Sequence, residues 1–145
     1  VNSFQINQEI KINASPEKVF AHLTNDITAW WDHGFSENPK AIILEPKFGG
    51  RFYEDMGEGD GVIYCQVMHV VKNKKLIMQG AMGMPGAVFG NIAFELLAVG
   101  SSTILKLAHH AFGDISADHK RSYTEGWNSL LGVRLKKLVE TGASN

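Results

Sequence analysis

The sequence predicts an α+β fold: a curved, mostly antiparallel sheet that closes on one long C-terminal helix. Three observations predict it. Residues 4–13 alternate apolar and polar side chains, as a half-buried strand does. Several short strand-like runs follow one early helical interruption, and short connections make such neighbours antiparallel. Residues 117–141 then form a single amphipathic stretch of about twenty-five residues, roughly 37 Å of helix and enough to cross a small sheet. A sheet curled on such a helix encloses a cavity.

In the first strand Phe4, Ile6, Gln8, Ile10 and Ile12 share one face. Ser15-Pro16-Glu17 opens a helix, with Ser15 as cap, Pro16 at the first helical position and Glu17 in the first turn. Val19, Phe20 and Leu23 form its apolar face. Asn25-Asp26 restarts the chain into a second short helix carrying Ile27, Trp30 and Trp31. Strands are expected over 41–45, 51–55, 61–71, 75–82, 87–98 and 102–112. Breaks fall at 46–50, in the acidic, glycine-rich loop 56–61, at Asn73, at the Pro85-containing turn 83–86, and at Val99-Gly100-Ser101.

Ser116 is the expected cap of the last helix, and Gly142 its stop. Tyr123, Trp127, Leu130, Leu131, Leu135 and Leu138 recur at three and four residues, a stripe that faces the sheet. Gly126 and Gly132 interrupt it. Each destabilises the helix by about 1 kcal/mol relative to Ala, so either could mark a close backbone approach.

Composition narrows the function. A chain of 145 residues reads as one domain over 1–145, with a formal net charge of −1. No global field draws it to nucleic acid or to an anionic membrane, and no run of about eighteen apolar residues predicts a membrane span. The one cysteine, Cys65, cannot form an intramolecular disulfide, which suits a reducing, cytoplasmic setting. No signal peptide is visible at the start, although the chain begins without Met and a trimmed start stays open. No nucleotide-binding loop or nucleophile-elbow motif is present, so no cofactor is expected. His109 and His110, adjacent in a strand, face opposite sides, and Asp118-His119 adds no zinc-like spacing, so no metal is expected either.

The segments Ala14-Ser15-Pro16-Glu17-Lys18-Val19-Phe20, Trp30-Trp31, Gly49-Gly50-Arg51-Phe52, the hairpin 87–112 with Gly100 and Thr103, and Gly126-Trp127 leading to Leu138 together carry a resemblance. The chain resembles the START-like (SRPBCC) superfamily, and within it the heat-shock-protein ATPase activator homologue-like family. The resemblance implies the helix-grip, or birch-pollen-allergen-like, fold. Its members bind very different ligands, and fold alone does not assign function.

Candidate site residues follow from strand phase and from that resemblance. In 102–112, Lys106 marks the solvent side, so Thr103, Leu105, Leu107 and His109 point inward. In 87–98, Glu95 points out, and Ile92, Phe94 and Leu96 point in. The resemblance turns Phe52 and Glu54 inward and leaves Arg51, Tyr53 and Asp55 to water. Both faces of 61–71 are mostly apolar, and periodicity leaves the choice open. The resemblance favours the Tyr64 face, which would add Tyr64 and Gln66 as polar anchors.

Trp31 and Trp127 sit on the elements that would border the cavity, where aromatic rings stack flat ligands. Met78, Met82 and Met84 suit an adaptable entrance. The expected function is binding of a small apolar or aromatic molecule by a monomer or weak homodimer. Walls would come from Phe52, Phe94, Leu107 and Trp127, and polar anchors from His109, Glu54 and Tyr64. Two alternatives use the same domain: a cyclase- or hydratase-like enzyme, and a chaperone-regulating interaction module.

Overall fold

The computed structural model describes residues 2–34 and 41–143. Its elements are β1 (Asn2–Ile12), α1 (Pro16–Asn25), α2 (Ile27–Trp30), β2 (Ala41–Leu44), β3 (Arg51–Gly57), β4 (Asp60–Val71), β5 (Lys75–Gln79), β6 (Val88–Val99), β7 (Ser102–Gly113), α3 (Ala117–Ser129), a π-helical turn (Leu130–Leu135) and α4 (Lys136–Thr141). The seven strands form one sheet in the order β1-β7-β6-β5-β4-β3-β2, antiparallel throughout. The first strand thus returns to pair with the last, and the C-terminal helical run packs on the sheet.

Local chemistry explains the helix boundaries. Ser15 Oγ accepts from Lys18 N at 3.3 Å, and Pro16 opens α1 where its missing N–H is not needed. Ser116 caps α3 through a reciprocal pair: its Oγ accepts from His119 N, while Ser116 N donates to His119 Nδ1 at 3.2 Å. A histidine here fills the place that Glu or Gln takes in the usual capping box. Gly142 ends α4 in the left-handed region at φ 76°, and its N–H returns to Leu138 O at 2.7 Å.

The inward faces of β1, β6 and β7 fall where alternation puts them. Phe4, Ile6, Ile12, Ile92, Phe94, Leu96, Thr103, Leu105, Leu107 and His109 are buried. Lys106 turns out and lies 3.5 Å from Glu9. Phe52 and Glu54 are buried, whereas Arg51 is exposed, bonded to Glu45 and seated over the Tyr53 ring. The sheet is tied to the helical layer by Gln8 Nε2 donating to Thr124 O at 3.1 Å and by Lys136 Nζ donating to Lys11 O. Asn13 N donates to Glu140 Oε2 at 2.7 Å.

Three features depart from the sequence reading. First, β4 uses neither of its faces along its whole length. Its ladders skip Tyr64 against β3 and Met68 against β5. Each bulge reverses the side-chain phase, so Tyr64, Cys65 and Val67 are all buried. Gln66 therefore lands outside and bonds Gly49 O at 3.3 Å, correcting its expected role as an inner anchor. Second, the long helix contains the π-helical turn. Third, a Cβ added at Gly132 would meet no atom within 4 Å, so no close backbone approach explains that glycine.

Candidate functional site

A cleft of about 560 Å³ opens between α3, residues 31–34 and the loop that follows β5. Trp127, Tyr123, Gly126 and Ser122 supply the helix wall, and Leu130 continues it at the start of the π-helical turn. Met82, Met84 and Pro85 form the facing wall, and Tyr64 reaches it from β4. The loop is pinned to the helix because Tyr123 Oη donates to Met82 O at 2.8 Å. Burial pushes the Tyr123 phenol up to about 12, so this donor keeps its proton.

Trp31 is the aromatic hub of the cleft. Its ring meets Phe52 at 5.0 Å, Tyr64 at 5.8 Å and Trp127 at 6.0 Å, each edge to face. These are favourable quadrupole arrangements. Behind the hub, Tyr64 Oη donates to Glu54 Oε1 at 3.0 Å. Burial raises the Tyr64 pKa well above the usual phenol range, and the hydrogen bond and charge of Glu54 raise it further. Tyr64 is therefore a protonated group that shields a carboxylate only 1% exposed.

His109 is sealed inside. Its Nδ1 accepts from Trp127 Nε1 at 3.0 Å, and the rings of Phe4 and Tyr123 flank it at 5.0 and 5.5 Å. Burial lowers its pKa to about 4, with the charge of His110 adding to the effect. The ring is therefore neutral near pH 7, and its Nδ1 is engaged by Trp127.

The structure divides the residues named from sequence into two groups. Trp31, Tyr64 and Trp127 line the cleft. Phe52, Phe94, Leu107, Glu54 and His109 do not; they are core residues one layer behind it. The expected walls of Phe52, Phe94 and Leu107 thus move to the core. Strand phase predicts burial, and burial against a helix excludes a side chain from the opening. Met82 and Met84 border the cleft, whereas Met78 belongs to the core.

Sequence reasoning gave no place in the cleft to Asp32, His33, His119 or Ser122, which form the polar rim. Their signal was faint: a short polar run after Trp31, and polar positions one helical turn apart on the face of Tyr123. Among the described residues, no three His, Cys, Asp or Glu side chains are placed to share a metal ion. No described helix is long and apolar enough to cross a membrane.

A seven-stranded antiparallel sheet under a long C-terminal helix, with an aromatic cleft at the helix flank, defines a START-like helix-grip domain. A family model described as Activator of Hsp90 ATPase homolog 1-like protein matches residues 13–140, and the chain belongs to that family. A comparison with curated proteins finds no match to it.

Solved structures share the fold. DynU16, of the dynemicin biosynthetic locus, is 20% identical with a TM-score of 0.74; the match covers 97% of this chain but 48% of DynU16, so this chain spans about half of that protein. The Aha1 dimer from Colwellia psychrerythraea is 25% identical with a TM-score of 0.69, covering 96% of this chain and 98% of that one. An AHSA1-like protein from Rhizobium etli is 25% identical with a TM-score of 0.64, covering 97% of this chain and 84% of that one.

Proposed function

We propose that this chain binds a small apolar or aromatic molecule in the cleft beside α3. One observation carries the reading: a cleft of about 560 Å³ whose inner surface is Trp31, Tyr64, Tyr123, Trp127 and two methionines, with its polar groups gathered at the rim. Sites of this size, mostly apolar with a few placed polar groups, are where small ligands bind. Methionines let the loop wall adapt to shape. The single buried cysteine suits a reducing cytoplasm.

The test uses a solvatochromic naphthalene dye. It should bind at one saturable site, quench tryptophan emission and raise the melting temperature, by about 2.7 kcal/mol of added stability at a hundredfold excess over Kd. Ser122→Trp, which fills the cleft from its helix wall, should abolish the binding. Dye binding that survives Ser122→Trp would refute the reading.

A second reading follows from the family. Chaperone regulation would use the outer surface, and the Colwellia relative is described as a dimer, so a weak homodimer belongs to this reading. It predicts saturable stimulation of a chaperone's ATP hydrolysis at micromolar concentration. The cleft reading predicts none. An enzyme using the same cleft would be separated from a binding protein by turnover of the bound molecule.

A further inference from the structure

The rim of the cleft carries two imidazoles, His33 and His119. His33 Nδ1 lies 3.2 Å from Asp32 Oδ1. The other oxygen, Asp32 Oδ2, lies 3.8 Å from Arg134 Nε, which also donates to Trp30 O at 2.9 Å. Arg134 thus holds residues 30–32 against the helical run, and Asp32 lies beside the imidazole. A neutral imidazole has one N–H donor and one lone-pair acceptor. A hydroxyl both donates and accepts, so it can bond the His33 Nε2 whichever ring nitrogen carries the proton.

That Nε2 faces α3 at Gly126, where an added Cβ would sit 3.6 Å from it. Both residues line the cleft. The two tyrosines of the cleft have committed their protons, Tyr64 to Glu54 and Tyr123 to Met82 O. His119 Nδ1 accepts from Ser116 N, so its Nε2 carries the proton.

Gly126 itself needs explaining. A glycine inside a helix is disfavoured relative to alanine. Here neither a left-handed φ nor a backbone contact demands it, since the nearest atom to its added Cβ is the His33 nitrogen, at ordinary contact distance. What the glycine preserves is room beside His33.

We infer that the cleft selects flat aromatic molecules bearing a hydroxyl group, whose hydroxyl hydrogen-bonds His33 Nε2 while the ring lies along the Gly126 side of α3. The inference rests on the cleft being a small-molecule site, and it names the class of molecule. Arg134 is a positioning residue, because it fixes the backbone at Trp30 and through it the segment that carries His33.

The experiment titrates β-naphthol and its methyl ether against the wild-type chain and three variants, following ligand fluorescence. The wild type should bind the naphthol roughly five- to tenfold tighter, the worth of one hydrogen bond. His33→Phe keeps a ring and removes the hydrogen-bonding nitrogen. The preference should then fall below about twofold, with affinity for the ether unchanged.

Gly126→Ala should raise the melting temperature yet weaken both probes several-fold. Gly132→Ala, with nothing around its added Cβ, should raise the melting temperature and leave both affinities alone. Equal binding of the two probes by the wild type, or a preference that persists in His33→Phe, overturns the inference while the cleft reading stands. Unweakened binding by Gly126→Ala overturns the placement of the ring. Failure of both probes to bind the wild type overturns the cleft reading and this inference with it.

Discussion

His109→Gln should remove a specific part of the acid sensitivity of the fold. Burial lowers the imidazole pKa from 6.5 to about 4. The unfolded chain takes up this proton as pH falls through about 6.5, and the folded chain does so only near pH 4. The unfolded state therefore binds more protons in that window, and stability falls as pH falls. The contribution is full above pH 6.5, and the loss is complete once both states are protonated, below about pH 4. At about 1.4 kcal/mol per pH unit, the loss is about 3 kcal/mol. That is a large share of the 5–15 kcal/mol typical of a domain.

Glutamine keeps an acceptor for Trp127 Nε1 and a similar volume, without a proton to bind. The assay is urea unfolding of both proteins at several pH values from 7.5 to 4. With a slope of about 2 kcal/mol per molar urea, the wild-type midpoint should fall by roughly 1.5 M more than the variant's. The carboxylates of Glu45 and Glu140 are held low chiefly by the backbone N–H groups of Arg51 and Asn13. They add acid sensitivity of the same sign to both curves and cancel in the difference. Parallel midpoints across the range would refute the assignment of His109 as a neutral, buried acceptor.

Other expectations follow from single contacts. Tyr64→Phe removes the phenolic donor to Glu54 and should destabilise by about 1.5–3 kcal/mol. In a Glu54→Leu background the same change should be smaller by at least 1 kcal/mol, read as the coupling term of a double-mutant cycle from urea denaturation. Cys65 is 1% exposed, and burial pushes its thiol up to about 12. A thiol reagent at pH 8 should therefore label the chain only in denaturant; stoichiometric labelling of the native protein would contradict that burial. Ser116→Ala should cost about 1 kcal/mol through loss of the α3 cap, visible as a lowered urea midpoint.

The fold was legible because its signals are local and repeated. Alternation in β1, β6 and β7 set which side chains face the core, and Lys106 alone fixed the phase of β7. Ser15, Pro16, Ser116 and Gly142 marked helix ends by the backbone groups they satisfy or spare. The cleft was only half legible. Trp31, Tyr64 and Trp127 stand out as large aromatics on bordering elements, and they do line it. Periodicity tells inside from outside, however, and a cleft wall is neither. His109 and Phe94 satisfy every sequence criterion for a pocket residue, yet α3 covers them. His33 satisfies none, because its position depends on how residues 30–34 leave α2 and are held by Arg134.

The departures from regular periodicity explain the rest, and they shape the cleft. Tyr123, Trp127, Leu131, Leu135 and Val139 recur every four residues. In an uninterrupted α-helix each such step overshoots a full turn by about 40°, so Val139 would point roughly 160° away from Tyr123. Yet Trp127, Leu131, Leu135 and Val139 are all buried, and Leu130 and Leu138 with them. A π-helical turn has more residues per turn than an α-helix, and the turn at Leu130–Leu135 absorbs most of that drift. It lets Leu130 reach the end of the cleft while its neighbour Leu131 enters the core. The bulge at Tyr64 has the same effect in the sheet: it places Tyr64 and Cys65 inside together and frees Tyr64 to meet both Glu54 and the cleft. The strict spacing of four was present in the sequence. Over a short helix it is indistinguishable from 3.6, and only its persistence over sixteen residues requires the helix to change pitch.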